Sequence, residues 1–193
     1  GLDREVVGNI FPKVTGGFSS TLSWKGISLY ARFDYALGHT LYNDLAARTL
    51  GQYQGAFNII TEVKDMWSED NPNSDLPAFY YADQLAKKNI TRSNNASASR
   101  HNNSSRLYEK ADYLALRELT LSWDLPKAWT SKAFIQNASV YVTGQNLFYV
   151  TGYTGTSPEP VLTNSDNNEN LYGVDQGRYP TPRTVLFGLS VTF

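Results

Sequence analysis

The chain has no cysteine in 193 residues, so disulfides and thiolate metal centres are excluded. It carries almost no net charge, −1 at neutral pH. A nucleic-acid partner gripped through its phosphates calls for a basic footprint, and this chain has none. Long apolar runs are absent too: nothing approaches the roughly 18 consecutive apolar residues of a membrane helix. The first residues, GLDREVVGN, lack the basic-then-apolar pattern of a secretion signal. Histidine is scarce, with only His39 and His101, far apart in one long link. They read as ordinary loop residues rather than a catalytic or metal pair. No nucleophile elbow, triad signature or phosphate-binding glycine pattern occurs, so no catalytic residue, enzyme activity or cofactor is expected. Asp166, Glu169 and Asp175 offer oxygen ligands of the calcium type, but their spacing is not that of an EF-hand, and no metal site is expected.

Aromatics, by contrast, are abundant at 13% of the chain, and 13 of them are tyrosines. Mean hydropathy is nevertheless negative. That combination suits rings at a boundary between apolar and wet surroundings. Five segments alternate with period two. In residues 17–24, Phe18, Leu22 and Trp24 oppose Ser19, Thr21 and Ser23. In residues 27–38, Ile27, Leu29, Ala31, Phe33, Tyr35 and Leu37 oppose Ser28, Tyr30, Arg32 and Asp34. Only Lys25 and Gly26 separate these two, which predicts a tight two-residue hairpin. In residues 113–125, Leu119, Leu121, Trp123 and Leu125 oppose Glu118, Thr120, Ser122 and Asp124, and Pro126 ends the run. In residues 138–150, Val140 and Val142 oppose Tyr141, Thr143 and Gln145. The last segment, 183–193, sets Val185, Phe187, Leu189, Val191 and Phe193 against Thr184, Leu186, Gly188, Ser190 and Thr192.

The links alternate strictly in length: short at 25–26, long at 39–112, short at 126–137, long at 151–182. In an up-and-down sheet, all short links then fall at one end and all long links at the other. Strands of about 9–11 residues with one apolar face, short turns opposite long loops, and weak hydropathy together describe an outer-membrane β-barrel. Helical spacing is expected inside the first long link, over 40–53 and 57–67. Residues 93–105 read as a polar, low-complexity tip. The rival reading is a soluble all-β carbohydrate-binding module, in which the apolar faces of two sheets pack into one dry core. The length of the 39–112 link counts against it, because sandwich loops are short.

Five stretches carry a family resemblance: GNIFPKVTGGF (8–18), YALGHTLYNDLAARTL (35–50), YLALRELTLSWDLP (113–126), VYVTGQNLFYVTGYTGTSPE (140–159) and YPTPRTVLFGLSVTF (179–193). In order and spacing they resemble the C-terminal end of the SusC/RagA family of TonB-dependent outer-membrane transporters. The resemblance implies a multi-pass barrel of roughly 22 strands with an internal plug, in the outer membrane of a Gram-negative cell. It also implies uptake of oligosaccharides or peptides, energised through TonB, with a SusD-like surface lipoprotein closing over the barrel. Residues 1–193 are then expected to be the C-terminal part of such a barrel, with outer loops at about 39–112 and 151–182. The plug and the TonB-contacting segment would lie outside this stretch. Phe193 is expected to be the terminal aromatic that barrel-assembly machinery reads.

Candidate site residues follow from the facing. Trp24 and Trp123, with Phe193 at their level, are expected to form an aromatic girdle against outer-membrane lipid. Arg32 and Asp34 point to the polar face, where solvation, plug contact and substrate contact are the alternatives. The aromatics of the long-loop side include Trp67, Phe79, Tyr80, Tyr81, Tyr149, Tyr153 and Tyr172. Of these, Trp67, Tyr80, Tyr81 and Tyr153 are the candidates for substrate contact, against the plainer reading of loop packing.

Overall fold

The computed structural model describes residues 5–47, 49, 58, 60–76, 78, 105–159 and 172–193. The chain divides into two compact units, a sheet unit and a loop unit. The sheet unit comprises Pro12–Gly38, Asp112–Gly152 and Pro180–Phe193; the loop unit comprises Gly1–Phe11, His39–Ala111 and Tyr153–Tyr179.

Five strands build the sheet unit: β1 (Val14–Trp24), β2 (Ile27–Leu37), β5 (Tyr113–Asp124), β6 (Asn137–Thr151) and β8 (Thr184–Thr192). Their order in the sheet is their order in the chain, and every pairing is antiparallel. The five alternating segments are thus the five strands, with β1 starting earlier than the alternation alone indicated. Lys25 (φ 49°) and Gly26 (φ 83°) both adopt left-handed backbone, the conformation a two-residue turn needs to follow strand twist.

Register sets the two faces. Trp24, Ile27, Trp123, Val140 and Leu189 share one row; Leu22, Leu29, Leu121, Val142 and Phe187 share the next. These residues form one apolar face across all five strands. It is open: Phe187 is 83% exposed, Leu22 67% and Phe18 54%. A sandwich would bury Phe18, Leu29, Leu121 and Phe187 against a second sheet. Here all four are exposed and no second sheet covers them among the described residues, which counts against the soluble binding-module reading. The opposite face carries Ser28 with Ser122, Tyr30 with Thr120, and Thr120 with Thr143, whose hydroxyls hydrogen-bond at 2.8 Å.

One irregularity interrupts this order. Between Leu116 and Glu118 the register shifts against both neighbours: Arg117 is one extra residue against β2, and β6 sets two residues, Asn146 and Leu147, against it. Opposite it, Asn146 on β6 takes left-handed backbone (φ 52°). A bulge inverts facing beyond it. On one side Leu119, Leu121 and Trp123 are apolar-facing; on the other, Leu114 and Leu116 are, paired with Tyr35 and Phe33. Tyr113, Ala115 and Arg117 therefore join the polar face. Tyr113 meets Tyr149 there edge-on, at 5.7 Å between ring centroids, beside buried Ala36 and Ala115.

The loop unit has a core of its own. Strand β3 (Thr40–Asn43) pairs antiparallel with β4 (Tyr108–Lys110) and parallel with the two-residue β7 (Val174–Asp175). The expected helix over 40–53 therefore begins as a strand and turns helical at α1 (Asp44–Ala47); of residues 48–53 only Thr49 is described. Asn43 marks the change: its Oδ1 accepts from the Ala46 amide at 2.9 Å, as a helix cap does. In the expected helix over 57–67, the described part is a short 3-10 turn, Thr61–Asp65. Among the described residues two clusters lie in its interior: Leu41, Ala111 and Tyr153, and Ala47, Met66 and Leu107 with Ile60 and Val63 against them. The 93–105 tip lies almost wholly outside the described residues.

On the polar face of the sheet, the Tyr141 ring lies directly over Gly188; a Cβ there would sit 2.0 Å from the ring. Gly188→Ala must displace that ring, at an expected cost of about 1–3 kcal/mol. Gly152→Ala meets nothing within 4 Å and is expected to stay within about 0.5 kcal/mol. Denaturant midpoints of the two variants check this; equal midpoints would contradict the stacking of Tyr141 on Gly188.

Candidate functional site

The polar face of the sheet gathers its charge at the bulge. The Arg117 guanidinium forks onto Asp34 of β2, with Nε donating to Oδ1 at 2.5 Å and Nη2 to Oδ2 at 2.9 Å. Its Nη1 donates to the Tyr149 hydroxyl of β6 at 2.8 Å. Its Cζ also lies 5.3 Å from the Tyr149 ring centroid, within cation–π range. One side chain thereby ties three strands. A fork of this kind fixes the direction of a carboxylate as well as its charge. Beside it Arg32 faces Glu118 at 3.9 Å, with the arginine side chain more than half exposed. That pair is loose and screened, and adds little stability. The result is two arginines and two carboxylates interleaved on one surface, one pair locked and one available to a ligand.

A second constellation lies in the loop unit. Asp175 is buried, yet it accepts four hydrogen bonds: from the Tyr153 hydroxyl (3.0 Å), the Thr156 amide (2.8 Å) and hydroxyl (2.7 Å), and the Gly177 amide (2.9 Å). Burial alone would raise its pKa, but donation from Gly177, Thr156 and Tyr153 outweighs this and holds the carboxyl below its ordinary value. Burial, reinforced by the neighbouring Asp175 charge, pushes the Tyr153 phenol up, so it stays a donor. Glu109 on β4 accepts from Asn43 Nδ2 and the Thr154 amide, each at 2.9 Å. His39 is also buried, and its Nε2 donates to the Pro158 carbonyl at 2.8 Å. These contacts clip residues 153–158 onto β3, β4 and β7.

The candidate residues separate accordingly. Arg32 and Asp34 do share the polar face of β2, Asp34 locked by Arg117 and Arg32 exposed. Trp67 is 43% exposed in the loop unit, where a ligand can reach it. Tyr153 is only 7% exposed and its hydroxyl is engaged by Asp175, which makes it a packing residue of the loop core. Tyr149 belongs to β6 rather than to a loop. Phe79, Tyr80, Tyr81, His101, Asp166 and Glu169 lie outside the described residues. The oxygens of Asp175 are occupied by protein donors, leaving it a poor calcium ligand. Trp24 and Trp123 share a register row on the apolar face. Phe193 lies four residues beyond Leu189 of that row; strands in a barrel tilt by about 35–45°, so a register row is not a membrane level.

No family model matches the chain. Two curated proteins of Formosa agariphila do: TonB-dependent receptor P3, 31% identical over 99% of this chain, and TonB-dependent receptor P26, 30% identical over 99%. The chain spans 17% and 18% of their lengths. Among solved structures, the RagAB peptide transporter matches over 97% of this chain and 18% of its own, with TM-score 0.72 and 28% identity. The RagAB peptide importer in its 'closed-closed' state matches with TM-score 0.71 over the same shares. In sequence and fold the chain is similar to part of the barrel of TonB-dependent receptors of the SusC/RagA type. On that likeness, the five-stranded sheet corresponds to a segment of a barrel wall and its two faces to the two faces of that wall.

Arg117 was not singled out from the sequence, and Asp175 only as an oxygen ligand of the calcium type, without its cradle of donors. The signal for Arg117 was present: in LALREL the leucines run 114, 116, 119, a slip from even to odd positions that only a bulge accommodates. No comparable signal marks Asp175, whose partners lie in separate segments.

Two outcomes follow for this chain. Arg117→Lys keeps the charge but loses the fork, and is expected to cost about 1–2 kcal/mol after allowance for partial exposure. Arg32→Lys should remain within about 0.5 kcal/mol, and unfolding midpoints that rank the two the other way would contradict the assignment. For Asp175 the folded pKa lies below the ordinary 3.8, so its stabilisation is complete above that value and is lost only as pH falls through the lower folded value. Hydrogen-exchange protection of the Thr156 and Gly177 amides should accordingly persist from neutral pH down to that point. Protection lost at higher pH would mean that the ionised carboxylate is not what holds them.

Proposed function

We propose that the protein containing this chain is a multi-pass outer-membrane transporter that imports oligosaccharides or peptides, driven through TonB. The observation that carries the reading is the open apolar face, continuous over five strands, backed by a polar face with organised charge. An apolar surface of that extent needs a cover, and lipid is the cover a barrel wall has. Residues 1–193 are read as the C-terminal part of the barrel, with outer loops at about 39–112 and 151–182. Trp24, Trp123 and Phe193 serve as rings at the membrane boundary on this reading. A SusD-like lipoprotein lid follows from the SusC/RagA resemblance.

The mechanism is gated passage, with no chemical step. Substrate meets the loops first, where Trp67 is exposed and where Tyr80 and Tyr81 are further candidates. It then passes along a lumen whose wall offers Arg32 and the Arg117–Asp34 pair. A surface with both signs of charge suits a peptide, which carries both, and the likeness to the RagAB peptide importer supports that arm. The decisive experiment follows labelled peptides and labelled oligosaccharides into cells of the source bacterium. Deleting the gene and removing TonB should each abolish uptake of the same class. Uptake that survives the loss of TonB, or an intact protein that purifies without detergent as a soluble monomer, would overturn the proposal.

A further inference from the structure

We propose that the link between β5 and β6, residues 125–137, is an anchor that binds the phospholipid surface at the short-link end of the barrel wall. The inference rests on the outer-membrane reading above. The link is a built turn rather than slack chain. Pro126 ends β5 and opens a helical turn, α2 (Lys127–Thr130), followed by the 3-10 turn Ser131–Ala133. Thr130 is buried at its centre; its amide donates to the Pro126 carbonyl, and the Ile135 amide donates back to the Thr130 carbonyl at 3.1 Å. The Gln136 amide fastens the far end to the Thr192 carbonyl at 2.8 Å.

This turn holds two large rings outward. Trp129 is 60% exposed, and it meets Trp123 edge-on with centroids 5.7 Å apart. Trp123 belongs to the apolar face, so Trp129 extends that face past the end of the strand. Phe134 is 93% exposed and has left-handed backbone, φ 58° and ψ 27°. Glycine or asparagine normally fills such a cap, because a bulky side chain is strained there. In water, a phenylalanine at this position costs both backbone strain and apolar hydration, and the turn gains nothing from it. At the boundary of the acyl chains the ring is buried and the strain is offset. The link also carries two exposed lysines, Lys127 and Lys132, and no acidic residue. Long lysine stems rise from an apolar surface to lipid phosphates. The strands on either side of β5 and β6 are β2 and β8, so the neighbours of this turn belong to the chain itself. Continuity with the open apolar face and complementarity to phosphate point to the same occupant.

The test uses the intact protein reconstituted in phosphatidylcholine vesicles, with and without phosphatidylglycerol. Asparagine tolerates the left-handed conformation, so for a turn standing in water Phe134→Asn raises the urea midpoint or leaves it unchanged. An anchored turn gives the opposite sign, a lower midpoint. The doubly substituted Lys127→Gln, Lys132→Gln protein should lose the extra stabilisation that phosphatidylglycerol provides; retention of that increment would remove the headgroup contact. Nitroxide labels on Phe134→Cys and on Leu121→Cys give a second measurement. Both should collide more with dissolved oxygen than with a water-soluble nickel chelate. A label at 121 in lipid with one at 134 in water, or covered by a protein partner, defeats the anchor and leaves the barrel reading intact. Labels in water at both positions defeat both.

Discussion

A β-strand presents successive side chains to opposite sides, and that two-residue period is the constraint on which this molecule depends. The five long strands carry an apolar and a polar face, and a shift of one residue would turn Leu22, Leu29, Leu121 and Phe187 to the polar side. The chain keeps the period faithfully along β1, β2 and β8. On β5 it departs from it at a single residue, and the departure is compensated on β6. Without the extra residue, Leu114 and Leu116 would not share a face with Leu119 and Leu121. With it, Arg117 lands on the polar side, within reach of Asp34 and Tyr149. The charge cluster is therefore a product of the register fault, and the fault is tolerable because an arginine fork binds the three strands where the regular ladder is broken.

How much could be read from the sequence follows from the same constraint. Strand positions were plain, because alternation over eight or more residues has few other causes, and the alternating lengths of the links supplied the topology. The resemblance of the terminal stretches agreed with both. Facing was also plain where the period is unbroken, as for Arg32, Asp34, Trp24 and Trp123. It was obscure on β5 before residue 117, where the slip hides in one arginine.

The loop segments were harder. The spacing in TLYNDLAARTL suits a helix, but Thr40–Asn43 pairs with two other strands, and that tertiary pairing overrides local preference until Asn43 caps the turn. Tyr153 was a candidate for substrate contact, against the plainer reading of loop packing. Its hydroxyl is instead committed to a carboxylate more than twenty residues away, a partner that no local pattern could indicate. Sequence reasoning performs best where one periodicity acts over many residues, and worst where a few polar groups from separate segments satisfy one another.

The small ladder of β3 against β4 bears on how such a chain can diversify. Thr40 pairs with Lys110 and Tyr42 with Tyr108, while the Ala111 amide donates to the His39 carbonyl. The long link is thus closed within a few residues of both its ends. Closure entropy depends on the chain between the joined points, and once the neck is fastened the length of the remainder matters only logarithmically. Residues can be inserted, deleted or exchanged beyond that neck while the connection from β2 to β5 stays effectively short. A chain built this way can revise its long link without renegotiating the register of its sheet.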